Sequence, residues 1–171
     1  MQRLVEVAGA IAGQRPTHLS EDGATLTIGL ATDRLGRDRW LVVESVQPDD
    51  EMPLELMQFR HLYPIALGNP ETASDLLRSL LLLNRVATFG HSGLCEESTC
   101  LYYVFTCPRP SDLSAARDIV DLVDAITTWH GDLLGRVCAG NAAFSDVMAD
   151  LDEKGALPRP IVYGAGASSP M

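Results

Sequence analysis

Residues 76–134 read LLRSLLLLNRVATFGHSGLCEESTCLYYVFTCPRPSDLSAARDIVDLVDAITTWHGDLL. Three patterns follow one another here: a leucine run, two short segments rich in aromatic and β-branched residues, and a long amphipathic repeat. The leucine run opens at Asn69-Pro70-Glu71, a helix start made of a capping residue, a first-turn proline and an acid near the positive dipole end. Leu76, Leu77, Leu80, Leu81, Leu82 and Leu83 then make a helix apolar on nearly all sides. Such a helix must be covered on nearly all sides. A chain of 171 residues has limited material for that, which predicts a subunit interface on one face.

Residues 86–107 hold two short strands around a polar turn, Glu96-Glu97-Ser98-Thr99. The aromatic and β-branched content of residues 101–106 is a strand signal, and Pro108 and Pro110 close it. Ser111 or Asp112 caps the next helix. Ala116, Ile119, Leu122, Val123, Ile126, Trp129, Leu133 and Val137 keep helical spacing, with Asp118, Asp121 and Asp124 on the other side. This helix runs to about Cys138, and Gly131 and Gly135 weaken it by about 1 kcal/mol each.

Toward the N-terminus, Leu4, Ala8 and Ile11 mark one face of a short helix over residues 2–13, ended by Gly13 and Pro16. Residues 24–32 alternate Leu26, Ile28 and Leu30 with Thr25, Thr27 and Gly29, a half-buried strand. A turn at 33–37 leads to a second strand with Trp40, Val42, Glu44 and Val46. Residues 54–67 read mainly as strand, because Pro64 would break a helix and Phe59, Leu62, Tyr63 and Ile65 are β-formers; Leu54 to Met57 also fit one helical turn. Residues 142–153 suggest a short acidic last helix, and the chain from Gly155 on reads as a flexible tail.

The order is therefore α-β-β-β-α-β-β-α, an α+β fold with an antiparallel sheet and flanking helices. Residues 1–139 are expected to form its domain, and 140–171 the acidic helix and tail. Hydrophobic residues make up 46% of the chain, enough to fold a core. Thirteen Lys and Arg against twenty-three Asp and Glu leave a formal charge of −10. Phosphate backbones and anionic membranes need the opposite balance, so neither nucleic acid nor membrane is an expected partner. No stretch approaches the roughly 20 apolar residues of a membrane span, and the N-terminus makes a poor signal peptide, so the expected location is cytoplasmic, with reduced thiols.

No constellation in the sequence argues strongly for catalysis. Cys95 and Cys100, with Cys107 and His91 nearby, lack the paired spacing of a zinc knuckle. They are better read as facing each other across a hairpin, where a disulfide would need an oxidising setting. Gly90-His91-Ser92-Gly93 resembles part of a nucleophile elbow, but Leu94 stands where the motif needs glycine, and strand signals lie on both sides. His18, His61, His91 and His130 are scattered. Asp118, Asp121 and Asp124 fit a solvated helix face better than a cation site. Gly164-Ala165-Gly166 has no strand before it, and no phosphate-binding loop occurs. No metal or cofactor is expected, and the chain reads as a non-enzyme; a small hydrolase or metal enzyme is the outlying alternative.

Over residues 2–138 the chain resembles class I type III secretion chaperones of the Tir-chaperone (CesT-like) family. The helix ending Leu80-Leu81-Leu82-Leu83-Asn84, the glycine-marked hairpin, and a proline before a long helix carry the likeness. YbjN-like proteins share that fold and supply the runner-up, a regulatory or adaptor protein. The resemblance implies a homodimer that holds the N-terminal segment of a secreted effector in extended form, with the secretion ATPase as a further partner. By element, it places Leu76, Leu77, Leu80, Leu81, Tyr102 and Val104 in the dimer interface. It places Leu4, Ala8, Ile11, Leu26, Ile28, Leu30 and Val42 against the effector.

Overall fold

The computed structural model describes residues 2–47, 55–65, 70–95, 100–110 and 112–157. Its elements are α1 (Gln2–Ile11), β1 (Thr17–Leu19), β2 (Thr25–Gly29), β3 (Trp40–Val46), β4 (Leu56–Leu62), α2 (Ala73–Val86, after a 3-10 turn at Pro70–Thr72), β5 (His91–Cys95), β6 (Cys100–Pro108), α3 (Leu113–Cys138) and α4 (Phe144–Glu153). The strands form one six-stranded sheet in the order β1-β2-β3-β4-β6-β5, antiparallel throughout. The α+β fold expected from the sequence is the fold observed.

The details depart from the sequence reading at identifiable places. β1 was not expected; it is three residues long and pairs only with β2 at the sheet edge. Leu56 and Met57 belong to β4, not to a helical turn; Leu54 lies outside the described residues. Asp112 is the cap of α3, accepting from the Ala115 N–H at 2.8 Å. The Asn69 cap expected for the leucine helix and the Glu96–Thr99 turn lie outside the described residues.

The sheet has two different faces because strand side chains alternate. Leu26, Ile28, Leu41, Val43, Met57, Phe59, Leu101 and Tyr103 turn inward and are buried under the helices. α1 contributes Leu4, Val7 and Ile11; α2 contributes Leu76, Leu80 and Leu83; α4 contributes Val147 and Leu151. Residues 140–157 thus join the same core, and Ala156 and Leu157 pack against it, so the tail does not begin at Gly155 as expected. α3 covers the sheet with Ala116, Val120, Val123, Thr127, His130, Leu134 and Val137.

The buried face of α3 includes Asp124, which the sequence placed on the solvent side with Asp118 and Asp121. The reason is a partner that helical spacing does not show. Arg39, 3% exposed, sends Nη1 to Asp124 Oδ1 at 2.9 Å and to Thr128 Oγ1 at 2.7 Å, and bonds Thr127 Oγ1. Arg15 reaches Asp124 Oδ2 at 2.8 Å from the other side. A carboxylate held between two guanidiniums and bonded on both oxygens meets the condition for burying a charge.

Candidate functional site

The second face of the sheet is the feature that can meet another molecule. The register sets its residues in rows. Gly29–Trp40 and Leu62–Tyr102–Gly93 lie in one line, Trp40 and Leu62 standing one position beyond the last β3–β4 pair, Leu41–His61; Thr27, Val42, Arg60, Val104 and His91 form the next row. Trp40 is 46% exposed and Leu62 61%; Val42, Tyr102 and Val104 are half-buried by their neighbours. Arg60 and Glu44 pair at 2.5 Å beside them. A sheet face that keeps tryptophan, leucine, tyrosine and valine on its solvent side presents an apolar band rimmed by charge, the pattern of a contact surface. Tyr102 owes its place to Gly93, where an added Cβ would stand 2.6 Å from the Tyr102 ring.

A second exposed apolar feature lies on α2. Leu77 and Leu81, one turn apart, are 51% and 71% exposed. Their helix is fixed to the sheet at its other end by Asn84. The Asn84 Nδ2 donates to the Ser92 carbonyl at 2.8 Å, and the Ser92 N–H donates to Asn84 Oδ1 at 2.7 Å. Ser92 belongs to the outermost strand, β5, so the carboxamide occupies backbone groups on the side away from β6. In the sequence Asn84 figures only as part of a family-like helix ending; its geometry has no signal in composition or periodicity.

The residues assigned from the resemblance separate into two groups. Tyr102, Val104, Val42, Leu77 and Leu81 lie where a partner can touch them. Leu4, Ile11, Leu26, Ile28, Leu76 and Leu80 do not, and that assignment is corrected: each is at most 6% exposed, inside the protein's own core. On α1 and α2 the inward stripe is the one that covers the sheet, and on β2 it is the leucine–isoleucine side that turns to the helices. Ala8 and Leu30 are half-buried against the core. Val7, not Ala8, is the deeply buried residue between Leu4 and Ile11.

The elbow fragment also finds its place. Ser92 is on a strand, 2% exposed, and its hydroxyl lies 3.2 Å from His130 Nδ1 and 3.3 Å from the Tyr63 hydroxyl. This polar cluster is sealed in the core. Burial lowers the His130 pKa to about 4 and raises that of Tyr63 above its ordinary range. His61 is likewise brought down to about 4, first by burial; its Nδ1 donates to the Trp40 carbonyl at 2.8 Å, leaving Nε2 without a partner. Among the described residues, no group of three or more His, Cys, Asp and Glu stands at metal-holding distance.

A cleft of about 540 Å³ opens between the β2–β3 loop, the segment after β4 and the C-terminal half of α3. Its guanidiniums are already engaged: Arg34 with Asp132 at 2.7 Å, Arg37 with Asp33 at 2.6 Å, Arg39 with Asp124, and Arg136 with Asp150. Arg34–Asp132 and Arg39–Asp124 brace the loop against α3, while Arg136–Asp150 ties α3 to α4. No family model matches the chain, and no curated protein or solved structure matches it either.

Proposed function

We propose that the protein is a non-enzymatic chaperone of the CesT-like type III secretion kind, acting as a cytoplasmic homodimer. It holds the N-terminal segment of a secreted effector extended and ready for export. The single observation that carries this reading is the open sheet face, where Trp40, Leu62 and Tyr102 stand in one row with Val42 and Val104 beside them. An extended client is recognised by apolar side chains set into such a surface, and its affinity comes from many modest contacts. The α-β-β-β-α-β-β-α order supports the same reading, with β1 and α4 as additions. The exposed pair Leu77 and Leu81 supports a dimer contact on α2. The charge of −10 favours a basic or neutral client segment. Among the described residues, no helix is long and apolar enough to cross a membrane.

The test is affinity capture of the tagged full chain from its native cells, followed by light scattering and limited proteolysis. A 2:1 complex with one larger secreted protein, protected only near that protein's N-terminus, is the expected result. Capture of a partner that is never secreted would move the reading to a YbjN-like adaptor. A monomer with no protein partner would overturn both.

A further inference from the structure

The last rung of the β5–β6 ladder sets Cys95 directly opposite Cys100. Ser92 gives its N–H and carbonyl to Asn84 and so does not exchange bonds with Tyr103 across the ladder. Antiparallel rungs alternate, so Gly93–Tyr102 and then Cys95–Cys100 are hydrogen-bonded pairs, with Cα atoms about 5.5 Å apart. That spacing lies within the roughly 4.4–6.8 Å range of Cα atoms joined by a disulfide, and bonding would draw the facing Cβ atoms in from about 5.5 Å toward the roughly 3.5–4.5 Å the bond needs. Leu94 and Leu101 turn toward the core, so both cysteines project from the other face. Both are half-buried and neither is in a disulfide. The other two cysteines have no such counterpart: Cys107 faces Met57 across its ladder, and Cys138 ends α3.

We propose that Cys95 and Cys100 are a reversible thiol–disulfide pair, oxidised by a small-molecule disulfide of the glutathione class. One cysteine thiolate attacks the glutathione disulfide, forms a mixed disulfide and displaces a glutathione thiolate. The facing cysteine thiolate then attacks the protein-side sulfur, forms the Cys95–Cys100 bond and displaces the second glutathione. Two protein thiols are oxidised, one glutathione disulfide is reduced to two thiols, and the two protons pass to the departing thiolates. The new bond lies on the open face, two residues along β6 from Tyr102. Oxidation therefore staples the corner of the sheet beside the apolar row.

The experiment equilibrates the full chain in glutathione buffers of graded potential, quenches with acid, alkylates and weighs the protein. Oxidation is expected to remove two alkylatable thiols and about 2 Da of hydrogen. A protease that cuts after Glu96 or Glu97 should leave the two halves joined until a reductant is added. Cys107→Ser with Cys138→Ser should retain this behaviour. Cys95→Ser or Cys100→Ser should abolish it and leave a glutathione adduct on the remaining thiol, with an unchanged far-ultraviolet circular dichroism spectrum. Four alkylatable thiols across the whole range, or a bond mapped to any other cysteine pair, would overturn the proposal.

Discussion

At the scale of single residues, the Arg39–Asp124 pair joins the β2–β3 connection to the middle of α3. Removing one partner leaves a buried charge uncompensated. Asp124→Ala is therefore expected to cost about 3–5 kcal/mol in urea denaturation, while Arg39→Met with Asp124→Leu should recover most of that loss. The two buried imidazoles set the acid limit of the fold. His61 and His130 have folded pKa values of about 4 against an ordinary 6.5. The unfolded chain binds their protons first, so stability is full above pH 6.5 and falls as pH drops toward 4. The loss is about 3 kcal/mol per ring. Urea midpoints measured from pH 4 to pH 8 should be flat at the top of that range and slope below it, and His130→Leu should reduce the slope. These residues were the least legible in the sequence. An aspartate on a helix gives the same letter whether it meets water or a distant arginine, and here the partners are 85 positions apart.

At the scale of elements, legibility was much better. The leucine run, the aromatic hairpin and the amphipathic repeat each became the element their period implies, because periodicity reports the local backbone directly. What periodicity did not decide was which leucines of α2 face inward when apolar residues surround most of the helix. The answer separates two substitutions of similar appearance. Leu80→Glu places a charge in the core and should abolish cooperative unfolding. Leu77→Glu or Leu81→Glu changes an exposed position and should shift stability by no more than about 0.5 kcal/mol. If α2 forms the dimer contact, either exposed variant should halve the mass seen by light scattering. A dimer of unchanged mass would place the contact elsewhere. β1 escaped the sequence reading because three residues cannot display a period.

At the scale of the whole molecule, the helices pack on one side of the sheet, and among the described residues no element covers the other side. Trp40→Glu and Leu62→Glu alter that side without touching the core. On the proposed reading, each should weaken client binding at least tenfold, as read by calorimetry or fluorescence titration, with the urea midpoint nearly unchanged. An equal loss of stability would show instead that the row is part of the fold's own packing. The sequence made the layer order readable but not which face is bare, since every strand alternates and the covering helices are remote in the chain. Asn84 then limits what the β5 border of the sheet can become. In the proposed role, a sheet set beside extended chains would risk recruiting them, or its own copies, into an ever-growing ribbon. One amide group laid across the outermost strand takes the Ser92 N–H and carbonyl, so a further strand would find no backbone partner on β5 at that residue.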